Sequence, residues 1–245
     1  LFDYDSFHND VILANKELYE YINTHLSSDD IKESQTIGFG GDNSLNIDLI
    51  AEKIFIKHLS KYGDIFSEEI GLVSSNSNIK IIIDPLDGSH NFFSNLPYFA
   101  SSIGLKIDKD LKAGYICNLS NGILTFRTNN SEVKNISILT KKEQKVHGVN
   151  EPKIAVFERA YGYPDICKKL FENRIKFRSN GAVALSLANA RNYKFVLFMG
   201  KIREFDIAAG IYINKDLNIY QNDKLLIVSK NKKNFDLVKE IIKDI

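Results

Sequence analysis

At 245 residues, with 44% apolar and 26% charged side chains, the chain has the composition of a folded globular protein able to bury a substantial core. A formal charge of +1 gives no global pull toward nucleic acid or a membrane surface, and no apolar run approaches the length of a membrane span. Two distant cysteines, Cys117 and Cys167, fit no metal or redox spacing and point to a reduced, cytoplasmic protein.

In chain order, Phe7, Val11, Leu18, Ile22 and Leu26 fall mostly on one stripe and predict an amphipathic helix over 5–26. Gly38, Gly40 and Gly41 mark a loop. Leu49, Ile50, Ile54, Phe55 and Leu59 then restore helical period over 47–62. A short segment at 64–66 leads into Ser67-Glu68-Glu69. Strand-like segments follow at 79–83, 100–107, 113–118, 123–127 and 133–138, spaced as in an antiparallel sheet. Beyond Pro152 the pattern alternates: strand 153–158, helix 165–173, strand 175–178, helix 182–190, strand 195–199 and helix 206–213. Lys230, Lys232 and Lys233 read as the solvated start of a further helix. Two layered α/β regions, with a boundary near residues 140–152, are the plain reading.

The stretch IIIDPLDGSHNFF, residues 81–93, ends an apolar strand on Asp84 and Asp87. Negative charges beside a core are costly unless something positive sits there. Pro85 biases Asp84 toward extended backbone, and Gly88 allows a tight turn that brings the Ser89 hydroxyl back toward the same point. A helix capped by Asp87 or Ser89 accounts for the turn, and such an N-terminus also favours phosphate. It does not account for the Glu68-Glu69 pair shortly before it. Carboxylates, a carbonyl and a hydroxyl together suit a hard cation such as Mg²⁺, whereas His90 suits softer metals. Asp206, set between Phe205 and an apolar helix, reads alone as another N-cap. It joins the site only if the fold brings it to Asp84 and Asp87.

SEEIG, DPLDGSHNF and FDIAAG, in that order, resemble the signature set of the inositol monophosphatase superfamily of metal-dependent phosphatases. NIDLIAE looks like the family's acidic helix, AGYICNLSNGILTFRT like its central hairpin and FRSNGAVALSLA like its substrate-side strand and helix, so the similarity covers nearly the whole chain. The resemblance implies an α+β fold, a layered α-β-α-β-α sandwich, usually as a homodimer. Residues 1–245 would form one phosphatase unit, with an N-terminal α+β half at 1–145 and a C-terminal α/β half at 146–245. It also implies Mg²⁺-dependent, lithium-sensitive hydrolysis of a small-molecule phosphate monoester, inositol 1-phosphate or a similar sugar monophosphate.

Carried over position by position, Glu68, Asp84, the Leu86 carbonyl and the Ser89 hydroxyl hold a first Mg²⁺, and Asp84, Asp87 and Asp206 a second. Glu69 supports that shell or a third, weaker ion. Glu68 and Ser89 position the attacking water, and Asp48 matches the residue that hydrogen-bonds the hydroxyl at position 89. The N–H groups of Gly88 and Ser89 receive phosphate oxygens. Substrate contacts fall on Gly181, Ala182 and Arg203, whereas the position that commonly carries a hydroxyl-reading Glu is Met199. Phe205 replaces the usual Trp, and Ser89 the usual Thr. GFGGDNSLNID and KIREFDIAAG resemble archaeal-type members that also hydrolyse fructose 1,6-bisphosphate, with Arg178, Lys201 and Arg203 as candidates for a second phosphate. Ser-His-Asn-Phe departs from the turn common in 3′(2′),5′-bisphosphate nucleotidases, a weaker alternative. A non-catalytic regulatory protein on the same fold is the remaining one, and the intact set Glu68, Asp84, Asp87 and Asp206 argues against it.

Overall fold

The computed structural model describes residues 2–41, 43–73, 76–129, 131–145 and 150–243. Helix α1 (Tyr4–Thr24) starts where the Asp3 carboxylate accepts the Ser6 N–H at 3.0 Å, and it buries Phe7, Val11, Ile12 and Leu18 on one face. A two-stranded ribbon, β1 (Glu33–Ile37) and β2 (Asn43–Leu45), leads into α2 (Asn46–Leu59), which packs beside α1.

These helices cover one face of a seven-stranded sheet. Its strands are β3 (Asp64–Ser67), β4 (Gly71–Val73), β5 (Ile79–Asp87), β6 (Ala100–Ile107), β7 (Asp110–Asn118), β8 (Ile123–Thr128) and β9 (Lys134–Ser137). The spatial order is β4-β3-β5-β6-β7-β8-β9; β3 and β5 pair in parallel and the other neighbours are antiparallel. A short helix, α3 (Ser89–Phe93), leaves the end of β5.

The second sheet contains β10 (Ala155–Glu158), β11 (Phe177–Arg178), β12 (Val196–Met199), β13 (Asn218–Gln221) and β14 (Leu225–Ser229), ordered β11-β10-β12-β14-β13. Its helices are α4 (Pro164–Glu172), α5 (Val183–Ala188), α6 (Glu204–Ile213) and α7 (Lys232–Ile241). Strand alternation sorts them. Phe157, Leu197 and Ile227 face outward onto Ile166 and Leu170 of α4 and Phe235 and Val238 of α7. Val156, Val196 and Val228 face inward onto Val183 and Leu187 of α5 and Ile207 of α6.

The opposite sides of α5 and α6 meet Ala100, Ile116 and Ile82 of the first sheet. The layers therefore run α-β-α-β-α, the sandwich expected from the sequence. Lying between two sheets, α6 must be apolar all round, and eight of its ten residues are buried. The approach is close. A Cβ at Gly114 would stand 2.4 Å from the Ala209 carbonyl, and one at Gly210 2.5 Å from Leu187 Cδ1.

Expectation and structure differ at several element ends and in short strand pairs that the sequence does not announce. The helix expected at 182–190 stops at Ala188 and continues as a 3₁₀ turn at Ala190–Asn192. The strand expected at 175–178 shortens to its last two residues. The β13–β14 hairpin had no sequence counterpart, because β13 is a half-exposed edge strand with little apolar alternation. No helix among the described residues is long and apolar enough to cross a membrane.

Candidate active site

Because β3 and β5 are parallel neighbours, their C-terminal ends lie side by side. The Glu68 N–H donates to the Ile83 carbonyl at 3.2 Å, which fixes Glu68 next to Asp84. From the layer between the sheets, the first turn of α6 adds Asp206. One carboxylate oxygen each from Glu68, Asp84 and Asp206 lie within 4.8 Å of one another. Asp84 and Asp206 are only 2% and 3% exposed. Asp206 is thus a first-turn residue of α6 rather than its cap, and the fold does bring it to Asp84.

Such a cluster is electrostatically expensive. Burial pushes the Asp84 carboxyl well above the usual carboxylate range, and the charges of Glu68, Asp87 and Asp206 push the same way. Burial raises Asp206 as well, opposed by Arg203. Arg203 is the protein's own answer to this charge. Its Nε and Nη2 donate to the two Asp206 oxygens at 3.0 Å each, and Nη1 meets Glu68 Oε1 at 2.7 Å. Arg203, expected among the substrate contacts, thus has its guanidinium turned onto two carboxylates of the cluster, those of Asp206 and Glu68.

Asp87 lies in the same cavity but is engaged elsewhere. Its Oδ1 and Oδ2 accept the N–H groups of Val183 and Leu185, both at 3.1 Å. The capping role considered for Asp87 is real, but it serves α5 across the layer boundary rather than α3. Gly88, at φ +85°, makes the turn into Ser89; a Cβ there would come within 2.9 Å of Ala182 Cβ and 3.1 Å of the Tyr98 carbonyl. Ala182, expected among the substrate contacts, is itself buried by that packing. Leu86 donates its N–H to Asp84 Oδ1 at 3.1 Å and lines the cavity floor. Glu69 turns toward the glycine loop and accepts the Ser44 hydroxyl.

The expected hydrogen bond between Asp48 and Ser89 is not made. Asp48 Oδ2 accepts the Leu45 N–H at 2.8 Å, closing the first turn of α2, while the buried Oδ1 has no partner. Burial pushes the Asp48 carboxyl up to about 7, with the Leu45 N–H opposing and the Glu69 charge adding.

The cavity has a volume of about 370 Å³, with Glu68, Asp84 and Asp206 at its floor and Gly38, Gly40, Gly88 and Gly181 along its walls. Two residues the sequence reading passed over complete it. Glu158, 2% exposed at the end of β10, accepts the Gly181 N–H at 2.8 Å and the Ser186 hydroxyl at 2.6 Å. Arg159 follows it at the rim. The available signal was a charged pair ending the apolar strand AVFE, the same kind of signal that marked Asp84. Met199 packs into the outer core and presents nothing to the cavity, and Arg178 and Lys201 point into solvent.

An all-oxygen donor set converging from a strand end, a strand and a helix is the kind that holds a hard divalent cation. A single arginine leaves the buried carboxylates under-compensated, so the residues fit such an ion.

A sequence profile of the inositol monophosphatase family matches residues 7–218. The chain belongs to the inositol monophosphatase family. It is 30% identical over 213 residues to a fructose-1,6-bisphosphatase/inositol-1-monophosphatase of Thermococcus kodakarensis, covering 82% of this chain and 77% of that protein. It is 27% identical over 212 residues to the Nus factor SuhB of Escherichia coli, covering 82% and 79%. A solved structure of an inositol monophosphatase–fructose 1,6 bisphosphatase superposes with a TM-score of 0.78 at 22% identity, over 98% of this chain and 100% of that one. That likeness extends to the layered α+β fold. Inositol monophosphatase family members are metal-dependent phosphatases of phosphate esters, and here Glu68, Asp84 and Asp206 form the cluster able to bind a metal.

Proposed function

We propose that the chain, acting as one unit, is a Mg²⁺-dependent phosphoric monoester hydrolase for inositol 1-phosphate or a similar sugar monophosphate. The observation that carries this reading is the convergence of Glu68, Asp84 and Asp206 beneath a cavity walled by glycine turns. Asp84, with Glu68, the Leu86 carbonyl and Ser89, would hold one ion; Asp84, Asp87 and Asp206 would hold a second, and Glu69 supports them. A divalent cation in this place supplies the positive charge that activates water and neutralises the departing oxygen.

The protein's own residues do the rest. Glu68 and the Ser89 hydroxyl orient water on the face of the phosphate opposite the leaving group. The N–H groups of Gly88 and Ser89 receive phosphate oxygens where Gly88 alone permits the turn. Asp87 keeps α5 docked, and Glu158 holds Gly181 at the cavity wall, where backbone can approach a polyol. Asp48 retains one unpaired buried oxygen facing this region of the fold, available to a reoriented Ser89 hydroxyl.

Fructose 1,6-bisphosphate is the second reading. It is favoured by Met199, buried and apolar where a hydroxyl-reading carboxylate commonly stands, and by the double name of the Thermococcus relative. We place the protein in the cytoplasm, where its two free cysteines stay reduced, and expect a homodimer. The deciting test of hydrolysis is Asp84→Asn. Phosphate release with Mg²⁺ should fall by at least about a thousandfold with the melting temperature held or raised, since a buried charge is removed. An active Asp84→Asn protein would falsify the assignment.

A further inference from the structure

Two glycines in left-handed backbone, Gly88 at φ +85° and Gly181 at φ +83°, line the cavity side by side. A Cβ on Gly88 would stand 3.3 Å from the Gly181 carbonyl oxygen, so the turn that ends β5 lies directly against the wall at 180–182. Glycine permits such a conformation but does not hold it, because more backbone states are open to it than to any other residue. The peptide between Asn180 and Gly181 is therefore fixed from outside.

Asn91, half-buried in α3, fixes one end of that peptide. Its Nδ2 donates to the Asn180 carbonyl and to the Tyr98 carbonyl, both at 2.7 Å. Both amide hydrogens are committed, and a reversed amide would set its oxygen against two others, so only one orientation serves. Glu158, from the end of β10, fixes the other end by accepting the Gly181 N–H at 2.8 Å. One peptide group is thus pinned at its oxygen from the first half of the chain and at its nitrogen from the second. The ring closes through Ser186, whose hydroxyl donates to Glu158 at 2.6 Å and lies 2.9 Å from the Tyr98 hydroxyl. None of these bonds draws on Glu68, Asp84 or Asp206.

We propose that Asn91, with Glu158 opposite it, is a positioning residue that sets the spacing between the phosphate-side turn and the sugar-side wall, and so selects monophosphates whose leaving group carries ring hydroxyls. This rests on the monoester hydrolase reading. With its phosphate at the N–H groups of Gly88 and Ser89, a polyol ester meets the Gly181 backbone only if the pinned peptide keeps its direction. An aromatic leaving group without hydroxyls makes no such demand. Misplacement of a contact by a fraction of its length is enough to lose it.

The test compares wild type, Asn91→Ala and the milder Asn91→Ser on inositol 1-phosphate and p-nitrophenyl phosphate with Mg²⁺. In the alanine variant the ratio of kcat/KM for the inositol ester over the aryl ester should fall at least about tenfold, through a raised KM for the inositol ester, as for loss of a hydrogen-bonded contact. Serine, which keeps one short donor, should fall between. Mg²⁺ affinity read by calorimetry should hold. An unchanged ratio overturns the proposal, as does an equal fall for both esters with weakened Mg²⁺ binding, which is the mark of general disruption. Calorimetric titration of inositol 1-phosphate and of inorganic phosphate in Ca²⁺ reads the wall without turnover. There, selective loss of inositol 1-phosphate affinity in the variants supports the positioning role, and parallel or absent losses refute it. If wild type hydrolyses neither ester, the hydrolase reading fails while this binding comparison still decides the role of Asn91.

Discussion

Replacing Arg203 by glutamine removes the internal cation from the carboxylate floor while keeping most of the side-chain volume. Arg203 makes a paired contact to Asp206 at 3.0 Å and a further one to Glu68 at 2.7 Å, with its own side chain 18% exposed. Breaking one side of a buried ion pair costs about 3–5 kcal/mol, and partial exposure brings this site to the lower end, about 2–3 kcal/mol. For a domain of this size that is a fall in Tm of roughly 4–12 °C when no divalent ion is present. With Mg²⁺ the loss should shrink, because the ion meets the same oxygens that the guanidinium has left. The assay is thermal unfolding by circular dichroism in EDTA and in Mg²⁺, paired with calorimetric titration of Mg²⁺. The variant should bind Mg²⁺ at least about tenfold more tightly, a further 1.4 kcal/mol or so of ion-linked stability at fixed concentration. Equal Tm losses with and without Mg²⁺, together with unchanged affinity, would show that Arg203 and the ion do not share these carboxylates.

Asp48 predicts a pH effect of definite sign. Its folded pKa, about 7, lies above the ordinary value of 3.8, so the folded state holds the proton more tightly and stability from this group is lost as pH rises from about 4 to 7. Asp48→Asn should therefore be more stable than wild type at pH 8, by up to about 4 kcal/mol, and little changed at pH 4; urea midpoints at the two pH values check this, and equal midpoints at pH 8 would contradict it. Gly114→Ala drives a methyl into the Ala209 carbonyl and should cost about 1–3 kcal/mol. Because α6 carries Asp206, that variant should also bind Mg²⁺ more weakly, whereas destabilisation with intact affinity would mean that α6 is not displaced.

The site carboxylates were legible in the sequence because each ends or begins an apolar element: Glu68 after β3, Asp84 within β5 and Asp206 in α6. A charge beside a core is costly, and for Glu68 and Asp84 no cap explains it locally, whereas Asp206 read alone as an N-cap. What stayed hidden was the use of those charges over long range. Asp87 read as a metal ligand, or as a cap for the helix that follows it, but its hydrogen-bond partners, Val183 and Leu185, lie in the other half of the chain. Arg203 read as a contact for substrate or a second phosphate, because nothing nearby in sequence reveals that Glu68 stands against it. Arg159 was missed since its direction depends on a left-handed residue and on the space left by Gly200, neither of which has a local pattern. The β13 edge strand was missed for a simpler reason: half exposed, it lacks the apolar rhythm from which strands are read.

The position of Asp206 also sets a clock. Glu68 and Asp84 emerge from the ribosome with the first sheet, but α6 follows only after most of the second sheet's strands. Until then the nascent chain carries acidic groups at a strand end with neither Arg203 nor Asp206 to complete the site, and α6 is also the wedge on which both sheets close. Products of early termination thus lack the Asp206 part of the cavity floor, and an ion held there would act as a removable pin between the first-made and last-made parts of the protein.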